Sequence, residues 1–216
     1  MKNVTFEKTI LFLFTLTAVI FIALYCREQK KLQAKINDFK VLTDSILVLN
    51  DANQYYSDLL KFEIKSSNHQ FEKDDIELYN ITQDTTKSTP QSLNSLIKGN
   101  KFSLILRYTE IGCNECSSIT IKKLNQFKSL HPHLPIYVLV DFSNYDSYLQ
   151  WRKVGKINFP VYYLKKGGIA FDKDCREYSY LFMIDDKSSA SKFFIPNSGM
   201  PQVLDYYFDN FYNTHT

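Results

Sequence analysis

From Thr9 to Cys26 the chain carries no charged residue, and Ile10 to Phe14, Leu16 and Val19 to Leu24 make this stretch strongly apolar. At about 1.5 Å per residue a helix over 9–26 just spans a hydrocarbon layer of roughly 30 Å, with Tyr25 at its edge. The pattern predicts a single transmembrane helix behind a short tail, residues 1–8. A small-x-small cleavage pattern is missing before the charged residues that follow, so the segment reads as an uncleaved signal anchor. Tyr25 is too bulky for a lipoprotein reading of Cys26.

Beyond the membrane segment the apolar positions change period. Leu32, Ile36, Phe39, Leu42, Ile46, Leu49, Tyr56 and Leu60 recur mostly at steps of three and four, with Asn53 interrupting the stripe and no Gly or Pro before Lys65. Residues 27–65 are therefore expected to form an amphipathic helical stalk of coiled-coil type. Such a stripe must be covered by a second copy of itself, giving a homodimer, by another partner, or by the rest of the chain. Residues 66–91 are rich in Ser, Asn, Asp, Thr and Gln and read as a linker, with a short strand at 76–81.

The remaining segment, 92–216, alternates strand and helix. A helical turn at Leu93 to Ile97 feeds an apolar run, Phe102 to Tyr108, suited to a buried strand. Ile119, Ile121, Leu124, Phe127 and Leu130 then carry a helical pattern. Ile136 to Val140 is a second buried strand, Tyr145 to Lys156 a helix, and Val161 to Leu164 a third strand. Tyr180 to Asp185 and Lys192 to Ile195 form a strand pair around Asp186-Lys187-Ser188, and Pro201 to Phe211 a closing helix. This order predicts an α/β fold with a mixed sheet.

Composition narrows the function classes. A net charge of +3 with interleaved acids and bases lacks the electrostatic footprint of a nucleic-acid binder, so no nucleic-acid partner is expected. Four cysteines are too few for a disulfide framework in 216 residues. Cys26 ends the apolar segment, Cys175 stands among charged neighbours that favour partial exposure, and Trp151 reads as a core residue of its helix. Only Cys113 and Cys116 have a spacing with chemical meaning.

That pair falls between the first strand and the helix after it, which places Cys113 at a helix N-terminus. There the dipole and free amide donors favour the thiolate, which is the nucleophile, and can bring a thiol from a pKa of about 8.5 to between roughly 3.5 and 7.5. Cys113 is the expected attacking sulfur. Cys116, one turn later on the same face, can resolve a mixed disulfide. Glu115 between them opposes thiolate formation and points to a reductant or carrier rather than a strong oxidant. Two other readings stand beside this one. The pair can be a structural disulfide, or half of a zinc site with His131 and His133, although one residue between histidines departs from the usual three to five. No resident metal or cofactor is expected.

With the strand leading to Cys113-Asn114-Glu115-Cys116, the strand Leu181 to Asp185 and the closing run from Phe193 to Tyr207, residues from about 92 to 211 resemble the thioredoxin-like redoxins tethered to bacterial cell envelopes. The resemblance implies a thioredoxin-like mixed sheet flanked by helices, with Cys113 and Cys116 as nucleophilic and resolving cysteines of a thiol-disulfide oxidoreductase. It also implies a substrate-binding cis-proline opposite the cysteines. One alignment puts Ser179 at that position, without the proline; a shorter alignment puts Pro160 there. Gly112 stands where the family usually has an aromatic residue. The expected protein is a single-pass inner-membrane protein whose periplasmic domain exchanges thiols with disulfides of envelope proteins. The positive-inside rule alone, weighing Lys2, Lys8 and the terminal amine against Arg27, Lys30, Lys31 and Lys35, mildly favours the opposite orientation. A tethered dithiol domain nevertheless has its use in an oxidising envelope. The rival functions are a non-catalytic scaffold with a degenerate redoxin domain and a metal-binding redoxin.

Overall fold

The computed structural model describes residues 2–67, 69–71, 76–82, 89–173, 175 and 178–213, with side chains described from Ile10 to Phe211. The first element, α1, is one helix from Lys2–Ser66. It carries neither Gly nor Pro, so nothing in the backbone chemistry stops it at Cys26. The chain divides into two compact units, one ending at Tyr56 and the other beginning at Ser57. In the first unit the apolar side chains from Ile10 to Leu49 are exposed along the helix. Its apolar segment reaches a mean hydropathy of 2.2 over 18 residues, long and apolar enough to cross a membrane.

The second unit begins well before residue 92. The last turns of α1 belong to it because Phe62 and Ser66 are buried and Leu59 is packed against the domain's core. Strands β1 (His69–Gln70), β2 (Glu77–Asn80) and β3 (Gln91–Ser92) come from the polar segment expected to be a linker. They stay in the domain because Phe71, Ile76 and Leu78 bury their side chains there, each contributing about 1.5–3 kcal/mol. The remaining elements are α2 (Leu93–Ile97), β4 (Phe102–Tyr108), α3 (Asn114–Leu130), β5 (Ile136–Val140), α4 (Tyr145–Val154), β6 (Val161–Tyr163), a 3-10 turn (Ala170–Lys173), β7 (Tyr180–Asp185), β8 (Ser189–Phe194) and α5 (Pro201–Asn213).

The strands form one sheet in the order β1-β8-β7-β4-β5-β6-β2-β3. Strands β4, β5 and β6 run parallel, joined through α3 and α4, whereas β7 is antiparallel to β4 and β8 to β7. The register sets Leu104 against both Ile136 and Met183, and Tyr108 against Val140. Helices cover both faces, so β4 is a continuous buried run rather than an alternating one. Leu104, Leu106 and Tyr108 meet Ile121, Leu124 and Phe127 of α3 and Leu204, Phe208 and Phe211 of α5 on one face. Ile105, Leu139 and Phe182 meet Phe62, Leu93, Ile97 and Phe171 on the other. The central order β5-β4-β7-β8, with a helix crossing from β4 to β5 and α5 after β8, is the thioredoxin-like arrangement expected from the sequence.

Candidate functional site

Strand β4 ends at Tyr108, and a four-residue turn delivers the chain to α3, with Gly112 N–H donating to the Thr109 carbonyl at 3.1 Å. Cys113 is the N-cap of α3: its backbone is extended and its Sγ accepts from the Cys116 N–H at 3.1 Å. The Ser117 N–H donates to the Cys113 carbonyl at 3.0 Å, closing the first turn. Cys113 and Cys116 are bonded to each other across a Cα–Cα distance of 5.3 Å. Both are half-buried, while Ile111, Asn114 and Glu115 around them are exposed. The pair thus sits beyond the carboxyl ends of parallel strands β4 and β5, where open α/β sheets present their functional groups.

The turn before Cys113 is held from three sides. Thr109 N–H donates to Ser179 Oγ at 3.1 Å, and Ser117 Oγ donates to the same oxygen at 3.2 Å. Glu110 N–H donates to Asp141 Oδ1 at 2.8 Å. The Glu110 carboxylate in turn accepts from Ser143 N–H at 2.8 Å and from its hydroxyl at 3.1 Å. Ser179, immediately before β7, is therefore brought beside the first turn of α3, one residue past Cys116. Pro160 is elsewhere: it is exposed before β6, and its carbonyl accepts from Val138 N–H. Among the described residues no peptide bond is cis.

Behind the turn lies a feature the sequence did not disclose. Arg107, 1% exposed on β4, donates to Asp172 through Nε and Nη2 and to Asp141 Oδ2 through Nη2 at 2.8 Å. Its Nη1 donates to the Tyr108 carbonyl at 2.8 Å, and Tyr180 Oη donates to Asp172 at 2.7 Å. Burial works against the guanidinium charge, but Asp172 and then Asp141 outweigh it and raise the Arg107 pKa further. Burial, then Asp172, pushes the Tyr180 phenol well above its ordinary value. A cleft of about 210 Å³ opens here, lined in part by Arg107, Thr109, Ile111, Asp141 and Asp172.

On the other face Tyr108 stacks on Phe142 with ring centres 5.4 Å apart, and Trp151 lies 4.7 Å from it. Tyr108 Oη donates to Asn114 Oδ1 at 3.4 Å, so this aromatic cluster touches one of the two residues between the cysteines. Burial, followed by the charges of Glu110 and Asp141, pushes the Tyr108 phenol up to about 12.

One expectation changes, and one rival reading loses its residues. Cys175 is not partly exposed but 2% exposed, because the 3-10 turn folds it inward until its thiol reaches the Asp172 carbonyl at 3.3 Å. His131 caps the far end of α3, and at 1.5 Å per residue that helix separates it from Cys113 by roughly 25 Å. His131 and the adjoining His133 therefore do not join the cysteines in one metal site. Among the described residues no group of three or more His, Cys, Asp and Glu is gathered to hold a metal ion.

No family model matches the chain, and neither does any curated protein. Solved structures are similar to it at low identity. The thioredoxin domain of a thiol-disulfide oxidoreductase from Bacteroides vulgatus is 13% identical, covering 66% of this chain and 97% of its own, with a TM-score of 0.45. A secreted disulfide oxidoreductase of Mycobacterium tuberculosis is 12% identical over 61% of this chain and 96% of its own, TM-score 0.42. StoA from Bacillus subtilis is 15% identical over 65% and 98%, TM-score 0.41. What fixes the fold is the chain's own strand order and strand directions. On that ground the second unit is a thioredoxin-like domain with a bonded Cys-x-x-Cys pair at the start of its first crossover helix.

Proposed function

We propose that the protein is a membrane-anchored thiol-disulfide exchange protein that acts through Cys113 and Cys116 on protein partners outside the cytoplasm. The observation that carries this reading is the bonded pair itself, with Cys113 capping α3 so that its sulfur already accepts an amide hydrogen bond. A thiolate at Cys113 inherits that donor and the positive end of the helix dipole.

In the reducing direction, the Cys113 thiolate attacks one sulfur of a substrate disulfide. A mixed disulfide forms and the substrate's first thiolate leaves. Cys116, deprotonated, then attacks Cys113 Sγ and releases the second substrate thiolate, leaving the bonded pair of this structure. The substrate has gained two electrons, and an upstream dithiol must restore the pair. Glu115, exposed in the first turn of α3, adds negative charge beside the nucleophile and supports the role of reductant or carrier over oxidant. Ser179 is assigned the place opposite the pair, where its buried hydroxyl holds Ser117, and exposed Ile111 offers a substrate an apolar contact. The apolar segment of α1 supports a single membrane span, and the use of a tethered dithiol in an oxidising envelope supports placing the domain on that side against the mild charge bias.

The test is exchange between a fluorescent disulfide peptide and the full chain in detergent, reduced beforehand, compared with Cys113→Ser. Turnover above the variant is expected; equal rates would sink the exchange reading and leave a scaffold. Metal analysis of the same reduced chain separates the metal-binding alternative, which requires zinc or copper that Cys113→Ser does not retain.

A further inference from the structure

Along α1, six positions fall on one heptad register: Leu42, Ile46, Leu49, Asn53, Tyr56 and Leu60 alternate by four and three residues as d and a positions. We infer that this stripe is the interface of a parallel, in-register homodimer, with Asn53 of each copy facing its twin. The five apolar side chains are between 48% and 62% exposed in the single chain. Within the last turns of α1, Leu60 is exposed while Leu59, Phe62 and Ser66 on the same turns face the core.

Three features select a second copy as occupant. First, the flanks are uncharged: Thr43, Ser45, Asn50, Ala52, Ser57 and Leu59 occupy the e and g positions, so a charged partner finds nothing to pair with. Asp44, Asp51 and Asp58 repeat every seven residues at f, the position farthest from the seam, where two copies keep their like charges apart. Second, Asn53 reads as an a position rather than an interruption. A lone Asn at a is satisfied by the same residue of a parallel partner in register, and this fixes both register and strand number. Third, the area suffices. Counting roughly 60–120 Å² removed from water per large apolar side chain, the stripe with the preceding Leu32, Ile36 and Phe39 comes to roughly 500–900 Å² per copy, comparable to one side of a standard interface. Ile36 to Phe39 and Phe39 to Leu42 are two successive steps of three, a local overwinding between two blocks of the same seam.

Parallel orientation rests additionally on the membrane-anchor reading, since two anchored copies enter the stalk from the same side at high effective concentration. The test is cysteine cross-linking of the full chain in bacterial membranes, in a Cys26→Ser background, with reporters Leu49→Cys and Tyr56→Cys at the seam and Asp51→Cys at f. Mild oxidation is expected to give a band at twice the chain mass for the seam reporters and not for Asp51→Cys. Adding Asn53→Lys is expected to lower the Leu49→Cys yield to that of the control, without changing the domain's melting temperature. No doubled band, equal yields at all three positions, or a band of another mass overturns the proposal. Fractionation of the same samples reads the anchor separately: a chain found only in the soluble fraction sinks the anchor, and the band pattern there still decides the dimer.

Discussion

Arg107 and Asp141 are joined at 2.8 Å inside the domain, and the second oxygen of Asp141 holds the Glu110 N–H, two residues past the end of β4. The strand that delivers Cys113 is thereby pinned to its neighbour β5 by charge as well as by its backbone ladder. Removing one member of a buried charge set leaves the others uncompensated. Arg107→Met is expected to lower unfolding stability by about 3–5 kcal/mol, read from the urea midpoint at constant slope. A loss under about 1 kcal/mol would mean that Asp141 and Asp172 find water or protons without difficulty.

Ser179 accepts from both Thr109 N–H and Ser117 Oγ while 5% exposed. Ser179→Ala takes that acceptor from both, at a cost of about 1–3 kcal/mol. Amide hydrogen exchange at Thr109 is expected to quicken in the variant. Pro160→Ala, at an exposed position, is expected to stay within about 0.5 kcal/mol of the parent.

Cys116→Ala removes the resolving sulfur but leaves the capping one. Under the proposed mechanism this variant accumulates mixed disulfides through Cys113, visible as adducts on non-reducing gels, and Cys113→Ala does not. Cys175→Ala is expected to leave exchange rates unchanged, because that thiol is buried against the 3-10 turn. Adducts formed equally well by Cys113→Ala would place the nucleophile elsewhere.

Tyr108, Tyr180 and Tyr207 each have phenols raised by burial, Tyr108 to about 12, with Glu63 adding to the rise at Tyr207. An unfolded phenol titrates near 10, so the fold holds these protons more tightly than the open chain does. Their contribution is fully present below pH 10 and is lost as pH rises through the folded values. The melting temperature is expected to fall from pH 10 to 12, and Tyr108→Phe to flatten that fall. A profile flat to pH 12 would contradict the burial of these hydroxyls.

Much of this was legible in the chain because it is local. The apolar run of β4, the period of α3 and the place of the cysteines between them follow from neighbours in sequence. Ser179 enters only through the family resemblance, which lines up Leu181 to Asp185 with the family's hairpin strand and leaves Pro160 as the alternative. Arg107 was not legible: it reads as one residue of a strand, and its burial depends on Asp141, 34 positions away, and Asp172, 65 away. Cys175 misleads for the converse reason, its charged neighbours suggesting a surface that the 3-10 turn removes. The segment 66–91 reads as linker because its apolar residues are sparse, yet Phe71, Ile76 and Leu78 suffice to draw it onto the sheet.

The sheet closes on both sides with two-residue strands, β1 beside β8 and β3 beside β2. Edge strands this short offer an incoming chain too few free amides and carbonyls to template a further strand. Among the described residues β1 covers β8 only at Ser189 and Ala190, so strand addition is disfavoured where these short strands lie and not along the whole border. Under the proposed exchange, a partner polypeptide is read by side chains at the cysteine end, where its own sulfur has to arrive.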